Sequence, residues 1–363
     1  MKQLSRVLAV HLLFVVLSPG LRADEVPVDR SLYFPPAQGE WETVEPGEVG
    51  WDAAKLQEAL DYAGKNQSTG VVILYKGRIL AEKYFKVEGA KSAKFRARIV
   101  GRDEAGHTIE DVASAQKSVA SILVGIAQQK GLLKIEDSVT QHLGAGWSKV
   151  KPDEEKAITI RHLITMTSGL TDRGTFEAKP GTKWRYNTMA YSKSMDVVAA
   201  VAKLDRHELT KQWLTRPLGM SDSKWVKRGS PAIQLVNGFG FATTARDLAR
   251  FGLMTLAEGK WGDKTVLADQ KYLKQATTSS QKLNPYYGYL WWVNRNANAP
   301  NRGSRLQTAP KDMFSANGAL NRRCFVVPSL QLVVTRLGDQ PDAGRTFDRQ
   351  IWKLLTEAAP AAR

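Results

Sequence analysis

The stretch Ser118-Val119-Ala120-Ser121-Ile122-Leu123-Val124-Gly125-Ile126-Ala127 has no polar stripe wide enough to meet solvent. A helix that is apolar nearly all the way round has to be enclosed by other layers of the chain, and Gly131 supplies its C-terminal stop. Lysine is rarely buried without a partner, so Lys117 at the start of this helix is hard to explain by packing. Ser114 lies three positions earlier on the same face, where the amine can reach its hydroxyl and take the proton as acyl transfer begins. The unpaired N–H groups and positive dipole end of the helix favour an oxyanion there and push Lys117 toward the neutral amine that a base requires. The plainer reading is a capping serine followed by a lysine that snorkels out of the first turn. Ser-x-x-Lys also occurs at Ser148 to Lys151, Ser221 to Lys224 and Ser279 to Lys282, but in polar stretches with no apolar run behind them, where solvated lysines suffice.

The chain of 363 residues opens with Lys2 and Arg6, continues with an apolar stretch from Val7 to Leu17, and reaches the small residue Ala23. This pattern predicts a signal peptide over residues 1–23 and export to the periplasm or beyond, since a membrane span needs roughly 20 apolar residues. Cleavage after Ala23 would remove Lys2, Arg6 and Arg22 and lower the formal charge from +16 to +13. So basic a surface suits an anionic cell wall or membrane and steers anionic substrates; no nucleic-acid motif accompanies it. The basic run from Lys91 to Arg102 reads as a solvated loop, with substrate steering as the alternative. Cys324 is the single cysteine, so the exported chain must rely on its core, for which its length is ample.

Gly70 to Tyr75 and Arg78 to Tyr84, around Lys76-Gly77, predict a hairpin. A second hairpin is expected at Cys324 to Val327 and Leu332 to Leu337, turning at Pro328-Ser329, with an earlier aromatic strand over Gly288 to Val293. From Thr346 onward, Phe347, Ile351, Leu354, Leu355 and Ala358 form one helical face suited to covering a sheet. Helical patterns such as Ala190 to Leu204 fill the region between. The expected architecture is α+β: an antiparallel sheet flanked by helices from residues 24–137 and 236–363, with a helical insertion over 138–235 and a site in the cleft between them.

A base that cycles a proton needs a polar partner, and Trp184-Arg185-Tyr186-Asn187-Thr188 offers a phenol, although a lone tyrosine is ordinarily packing. With Ser114 to Lys117 stand Ile158 to Leu170, Pro180 to Tyr186, Thr243 to Gly252 and Tyr287 to Trp292. These ordered motifs resemble the β-lactamase-related serine hydrolases: class C β-lactamases, D-alanyl-D-amino-acid peptidases, esterases and 6-aminohexanoate-dimer hydrolases, in which Ser-x-x-Lys works with two partner motifs. The resemblance covers nearly all of the chain after the expected cleavage point. It implies a penicillin-binding-protein-like fold, with Ser114 as nucleophile, Lys117 as its base and Tyr186 as proton relay. The third family motif falls on Ala316-Asn317-Gly318, and the resemblance implies an oxyanion hole made by the N–H groups of Ser114 and Ala319; the bare alternative is an edge strand with a glycine bulge. Asn187, Thr188, Ala316, Asn317 and Gly318 are the expected substrate-binding positions.

Two departures from the family pattern matter. Asn187 occupies the middle of the second motif and Thr188 the usual asparagine position, which puts a substrate amide contact in doubt. Ala316 replaces the cation that holds a substrate carboxylate in the relatives; Arg322 and Arg323 lie nearby, although alternate strand positions point to opposite faces. Both departures favour a serine hydrolase of small esters or amides over a β-lactamase or D,D-peptidase, with a non-catalytic wall-binding protein as the reading from a different class. No Gly-x-Ser-x-Gly elbow, His-Glu-x-x-His, cysteine pair or phosphate loop is present, and neither metal nor cofactor is implied. His107, His142, His162 and His207 are scattered singly, His162 being expected to be structural. Trp291 and Trp292 are expected to pack, with one ring lining the cleft as the alternative.

Overall fold

The computed structural model describes residues 32–86, 92–229, 237–295 and 303–360. The expected signal peptide and Lys91 lie outside the described residues. After helix α1 (Ala53–Lys65), β1 (Ser68–Tyr75) and β2 (Arg78–Tyr84) form the expected hairpin. Next come α2 (Ala93–Arg96), β3 (Ile99–Arg102), β4 (Thr108–Asp111) and the enclosed helix α3 (Gln116–Gln129). Helices α4 (Val139–Leu143), α5 (Pro152–Lys156), α6 (Ile160–Ile164), α7 (Thr188–Ala202), α8 (Arg206–Thr210) and α9 (Arg216–Leu218) follow, then β5 (Lys224–Lys227), β6 (Phe239–Thr243) and α10 (Ala245–Leu256). The chain continues through β7 (Lys260–Trp261), β8 (Lys264–Thr265), α11 (Gln270–Ala276), β9 (Trp292–Val293), β10 (Phe314–Gly318), β11 (Arg322–Val327), β12 (Leu332–Gly338) and α12 (Phe347–Ala358).

Six strands make one antiparallel sheet in the order β2-β1-β12-β11-β10-β9, so an early strand, β1, pairs with the last one, β12. Alternation along β1 divides the core: Val71 and Ile73 join Leu56, Leu60 and the apolar face of α12 on one side. Val72 and Leu74 join α3 and α10 on the other. Each fully buried Val or Leu contributes roughly 1.5–3 kcal/mol, which explains why β1 is a continuous apolar run covered on both faces. The apolar cluster around α3 also takes in Leu163, Tyr191, Val198 and Leu214, so the helices after residue 138 share a core with the sheet. Gly125 lets α3 approach α11: a Cβ there would stand 2.5 Å from the Tyr272 ring.

Three expectations are corrected. The aromatic strand over Gly288 to Val293 shrinks to Trp292–Val293, because Leu290 is held at φ +61° and the Gly288 N–H donates to Trp291 O, closing a turn. The segment following Lys91 is not a loop: it forms α2 and β3, and Arg98 pairs with Asp111 at 2.9 Å. A second sheet, β3-β4-β6-β5, was not anticipated, and it sits directly before the Ser114 turn.

Candidate active site

Ser114 sits in a single 3-10 turn, Ala113–Ala115, between β4 and α3. Ala113 is held in the left-handed region at φ +52°, a conformation that costs a non-glycine residue about 1–2 kcal/mol. Asp111 secures it by accepting the Ala113 N–H at 2.9 Å, and Asp111 is in turn clamped by Arg228 through two 2.8 Å bonds and by Arg98. Burial pushes the Asp111 carboxyl up, but Arg228, Arg98 and the Ala113 N–H outweigh it and hold the carboxyl below its usual value, so it stays charged. From Asp111 to Ala127 every residue is buried except Ser114, which is half-exposed; the strained turn presents one hydroxyl to solvent and encloses the rest.

Lys117 is 2% exposed. Its Nζ is 3.2 Å from Ser114 Oγ and 3.4 Å from Thr188 Oγ1, and it lies over the rings of Tyr191 and Tyr186 at 4.2 and 4.8 Å. Burial, with the like charge of Arg228, pulls the amine down to about 7. The two ring faces attract the ammonium form and oppose that pull. Tyr186 hydrogen-bonds the Ser114 hydroxyl, yet burial pushes its phenol up to about 12, so it is protonated at neutral pH. Its ring stacks on Trp292 at 6.1 Å and meets Tyr287 edge-on at 6.3 Å, while Trp184 meets Trp292 and Tyr287 edge-on. Arg305 lies over the Trp292 ring at 5.2 Å. Trp292 is thus beside the Ser114 cluster, whereas Trp291 is fully buried and stacked on Phe251.

The structure brings Ser114, Lys117, Tyr186, Thr188 and Gly318 together. Beyond Ser315, β10 loses its pairing with β9 and runs as an edge past the Ser114 turn. A Cβ on Gly318 would stand 2.1 Å from Val112 O and 3.3 Å from Ala115 N, so only glycine lets strand and turn meet. Ala319 follows in an exposed turn beside them. Asn317 is half-buried, and its Oδ1 has no hydrogen-bond partner among the described residues.

Two expected substrate contacts are placed otherwise. Asn187 is fully buried and caps α7, accepting the Ala190 N–H while its Nδ2 donates to Leu170 O and Thr171 O, so its side chain is committed to the backbone. Ala316 is fully enclosed in the core opposite Cys324. Neither nearby arginine replaces the missing cation: Arg322 is buried in an ion pair with Glu110 at 2.7 Å, and Arg323 is held by Asp348 and Gly318 O. His162 closes a capping box with Thr159, a structural task.

The family model for beta-lactamases matches residues 53–356. The chain belongs to the beta-lactamase family. Its fold is that of serine beta-lactamases and penicillin-binding proteins. A Bacteroides dorei protein assigned as a beta-lactamase superposes with a TM-score of 0.65 at 16% identity, over 85% of this chain and 99% of its own. A Bacillus anthracis protein assigned as a 6-aminohexanoate-dimer hydrolase gives 0.63 at 13% identity, over 90% of this chain and 89% of its own. EstCE1, a hydrolase with promiscuous acyltransferase activity, gives 0.59 at 15% identity, over 83% and 96%. No curated protein sequence matches.

In this member of the beta-lactamase family, the residues that sequence reasoning missed are those that hold the Ser114 turn. Gln116, between the serine and the lysine, is fully buried; its Oε1 accepts from Phe241 N and Arg228 Nη2, both at 3.0 Å, and its Nε2 donates to Tyr191 OH and Phe239 O. Asn237 also bonds the Tyr191 hydroxyl, at 2.8 Å. The available signal was Gln116 itself, an amide flanking an enclosed helix, which has to find partners.

Proposed function

We propose that this protein is an exported serine hydrolase that cleaves small esters or amides through an acyl-enzyme on Ser114. The observation that carries the reading is the enclosed Lys117 amine, 3.2 Å from Ser114 Oγ with its pKa drawn down to about 7. At neutral pH a large fraction of that amine is free base, while the Tyr186 phenol near 12 is not deprotonated; lysine is therefore the base and tyrosine the hydrogen-bonded relay. Thr188 Oγ1 accepts one amine N–H and turns the lone pair toward the serine hydroxyl. As Ser114 Oγ attacks the carbonyl carbon, its proton passes to Lys117, and the carbonyl π electrons move onto oxygen, facing the N–H groups of Ser114 and Ala319. Collapse expels the alcohol or amine with a proton returned by way of Tyr186. Water, deprotonated by the same amine, then attacks the acyl carbon; the bond to Ser114 Oγ breaks, the proton passes from Lys117 back to that oxygen, and the acid leaves.

The substrate class follows from what surrounds the serine. Trp184, Tyr186 and Trp292, backed by the buried Tyr287, offer an aromatic wall; neither Arg322 nor Arg323 offers a free cation at the third motif, and Arg305 is the cation that lies over the Trp292 ring. An uncharged acyl group suits that wall better than the carboxylate next to the scissile bond of a β-lactam or D-Ala-D-Ala peptide. The 6-aminohexanoate-dimer hydrolase and EstCE1 names among the structural neighbours agree with it. Export rests on the basic and apolar start of the chain.

The test is intact mass after a fluorophosphonate probe, beside a Ser114→Ala control, followed by turnover of p-nitrophenyl butyrate and of nitrocefin. One adduct lost in the control, with ester turnover exceeding nitrocefin turnover, supports the reading. The reverse ratio makes the protein a β-lactamase, and absence of any adduct on folded protein makes it a non-catalytic binding protein.

A further inference from the structure

A cavity of about 400 Å³ opens between α8, α9 and β5, and shares no residue with the cluster around Ser114. Lys211, Arg216 and Lys224 line it with His207, and no lining residue is a carboxylate although the chain carries 36 acids. Among the described residues none of these three cations forms an ion pair within 4 Å; Asp222, whose carboxyl senses Lys224, is not part of the lining. The chain here runs through one π turn, Lys211–Thr215, an uncommon local widening of a helix that recurs at functional sites. Thr215 ends that turn. It is 5% exposed and lines the cavity, and its hydroxyl has no hydrogen-bond partner among the described residues. Its oxygen is open to the cavity, where a ligand can bond it in place of solvent. Trp225 forms part of the floor with its indole N–H already donated to Thr210, so what it offers a ligand is ring surface.

We propose that this cavity is a binding site for a small phosphate monoester with a ring-sized organic body. Lys211, Arg216 and Lys224 are solvent-exposed, and three cations around one opening with no carboxylate in its lining favour a multiply charged anion over a single carboxylate. The phosphoryl group sits among Lys211, Arg216 and Lys224 and accepts from Thr215, and the organic body lies against Trp225. The volume is within the usual range for small-molecule sites. Nothing in this proposal depends on the role of Ser114.

The probe is glucose 6-phosphate, titrated calorimetrically into the full-length protein at two ionic strengths, with glucose as the neutral counterpart. The wild type is expected to bind the phosphate saturably and glucose not at all. Replacing Lys211, Arg216 and Lys224 together by Gln is expected to weaken binding by about tenfold or more, and Thr215→Val by several-fold at unchanged melting temperature. Replacing the exposed Lys65, Lys134 and Lys311 by Gln removes the same charge elsewhere and is expected to change affinity by less than about twofold. Absence of saturable binding overturns the proposal. So does an equal loss in the two triple variants, which would reduce the effect to the basic surface, and so does unchanged affinity in Thr215→Val.

Discussion

A lysine amine drawn down to about 7 ties the chemistry of Ser114 to pH. In the proposed mechanism the base is the neutral amine, so the acylation rate is expected to rise with pH through about 7 and then level off, because Tyr186 does not ionise until about 12. Stopped-flow acylation by p-nitrophenyl butyrate between pH 5 and 9 checks this; a rate independent of pH would exclude Lys117 as the base. Lys117→Ala is expected to lower acylation about 10²- to 10⁴-fold while the protein remains folded, as read by circular dichroism. Arg228 adds the like charge that helps lower the amine, so Arg228→Gln is expected to shift the rising limb to higher pH and Arg228→Lys to leave it nearly in place. That Ser114, Lys117 and Tyr186 come together was legible in the sequence, because an amine beside an apolar run and a phenol in a known motif are local patterns. Arg228 and Gln116 were not: their contact spans 112 positions, and the sequence gives no hint that an arginine after β5 folds back beneath the serine.

Where whole elements meet, the site depends on β10 lying against the Ser114 turn. Gly318→Ala would place a methyl group 2.1 Å from Val112 O, so either the strand or the strained turn must move. The expected result is a loss of about 1–3 kcal/mol in stability by chemical denaturation, with a larger proportional loss of acylation, since the displaced strand carries the Ala319 N–H. A variant that acylates normally would mean that Gly318 serves folding alone. Asn187 makes the opposite case. It caps α7 and holds two buried carbonyls, so Asn187→Ala is expected to cost about 2 kcal/mol or more with KM little changed in the molecules that remain folded. The hairpins and the last helix could be read from periodicity because each is bounded by its own turn residues. The sheet β3-β4-β6-β5 could not, since β4 pairs with β6 through only two residue pairs at a separation of more than 130 positions. The aromatic run before β9 misled for a related reason: Leu290 adopts a positive φ imposed by tertiary contacts, its N–H donating to Ile164 O and its C=O accepting from Ser118 Oγ.

For the whole molecule, two buried groups act on stability with opposite slopes. Asp247 is enclosed at the start of α10, where it accepts from Ser223 Oγ and Asp222 N; burial raises its carboxyl from 3.8 to about 7. Between those values the folded chain binds more protons than the unfolded chain, so this contribution is fully present below about 4 and is lost as pH rises to 7. Lys117 has the reverse sign. Its amine falls from 10.5 to about 7, so over that range the unfolded chain binds more protons and stability grows as pH rises. Each shift corresponds to a swing on the order of 4 kcal/mol, which is large against the usual net stability of a domain. Their joint effect is lowest near neutrality, the pH at which the amine becomes available as a base. If Lys117 is the base, as proposed, the enclosure that lowers its pKa destabilises the fold where the enzyme would work, as expected of a functional group held in an apolar core. Denaturant melts from pH 4 to 10 are expected to show this as a minimum near 7, several kcal/mol below either end. Asp247→Asn should flatten the acidic side of the curve and leave the alkaline side, and Lys117→Met should flatten the alkaline side and raise stability at neutral pH. If Lys117→Met instead destabilises the protein throughout, the lysine is a structural member of the core, and its place beside Ser114 needs another explanation.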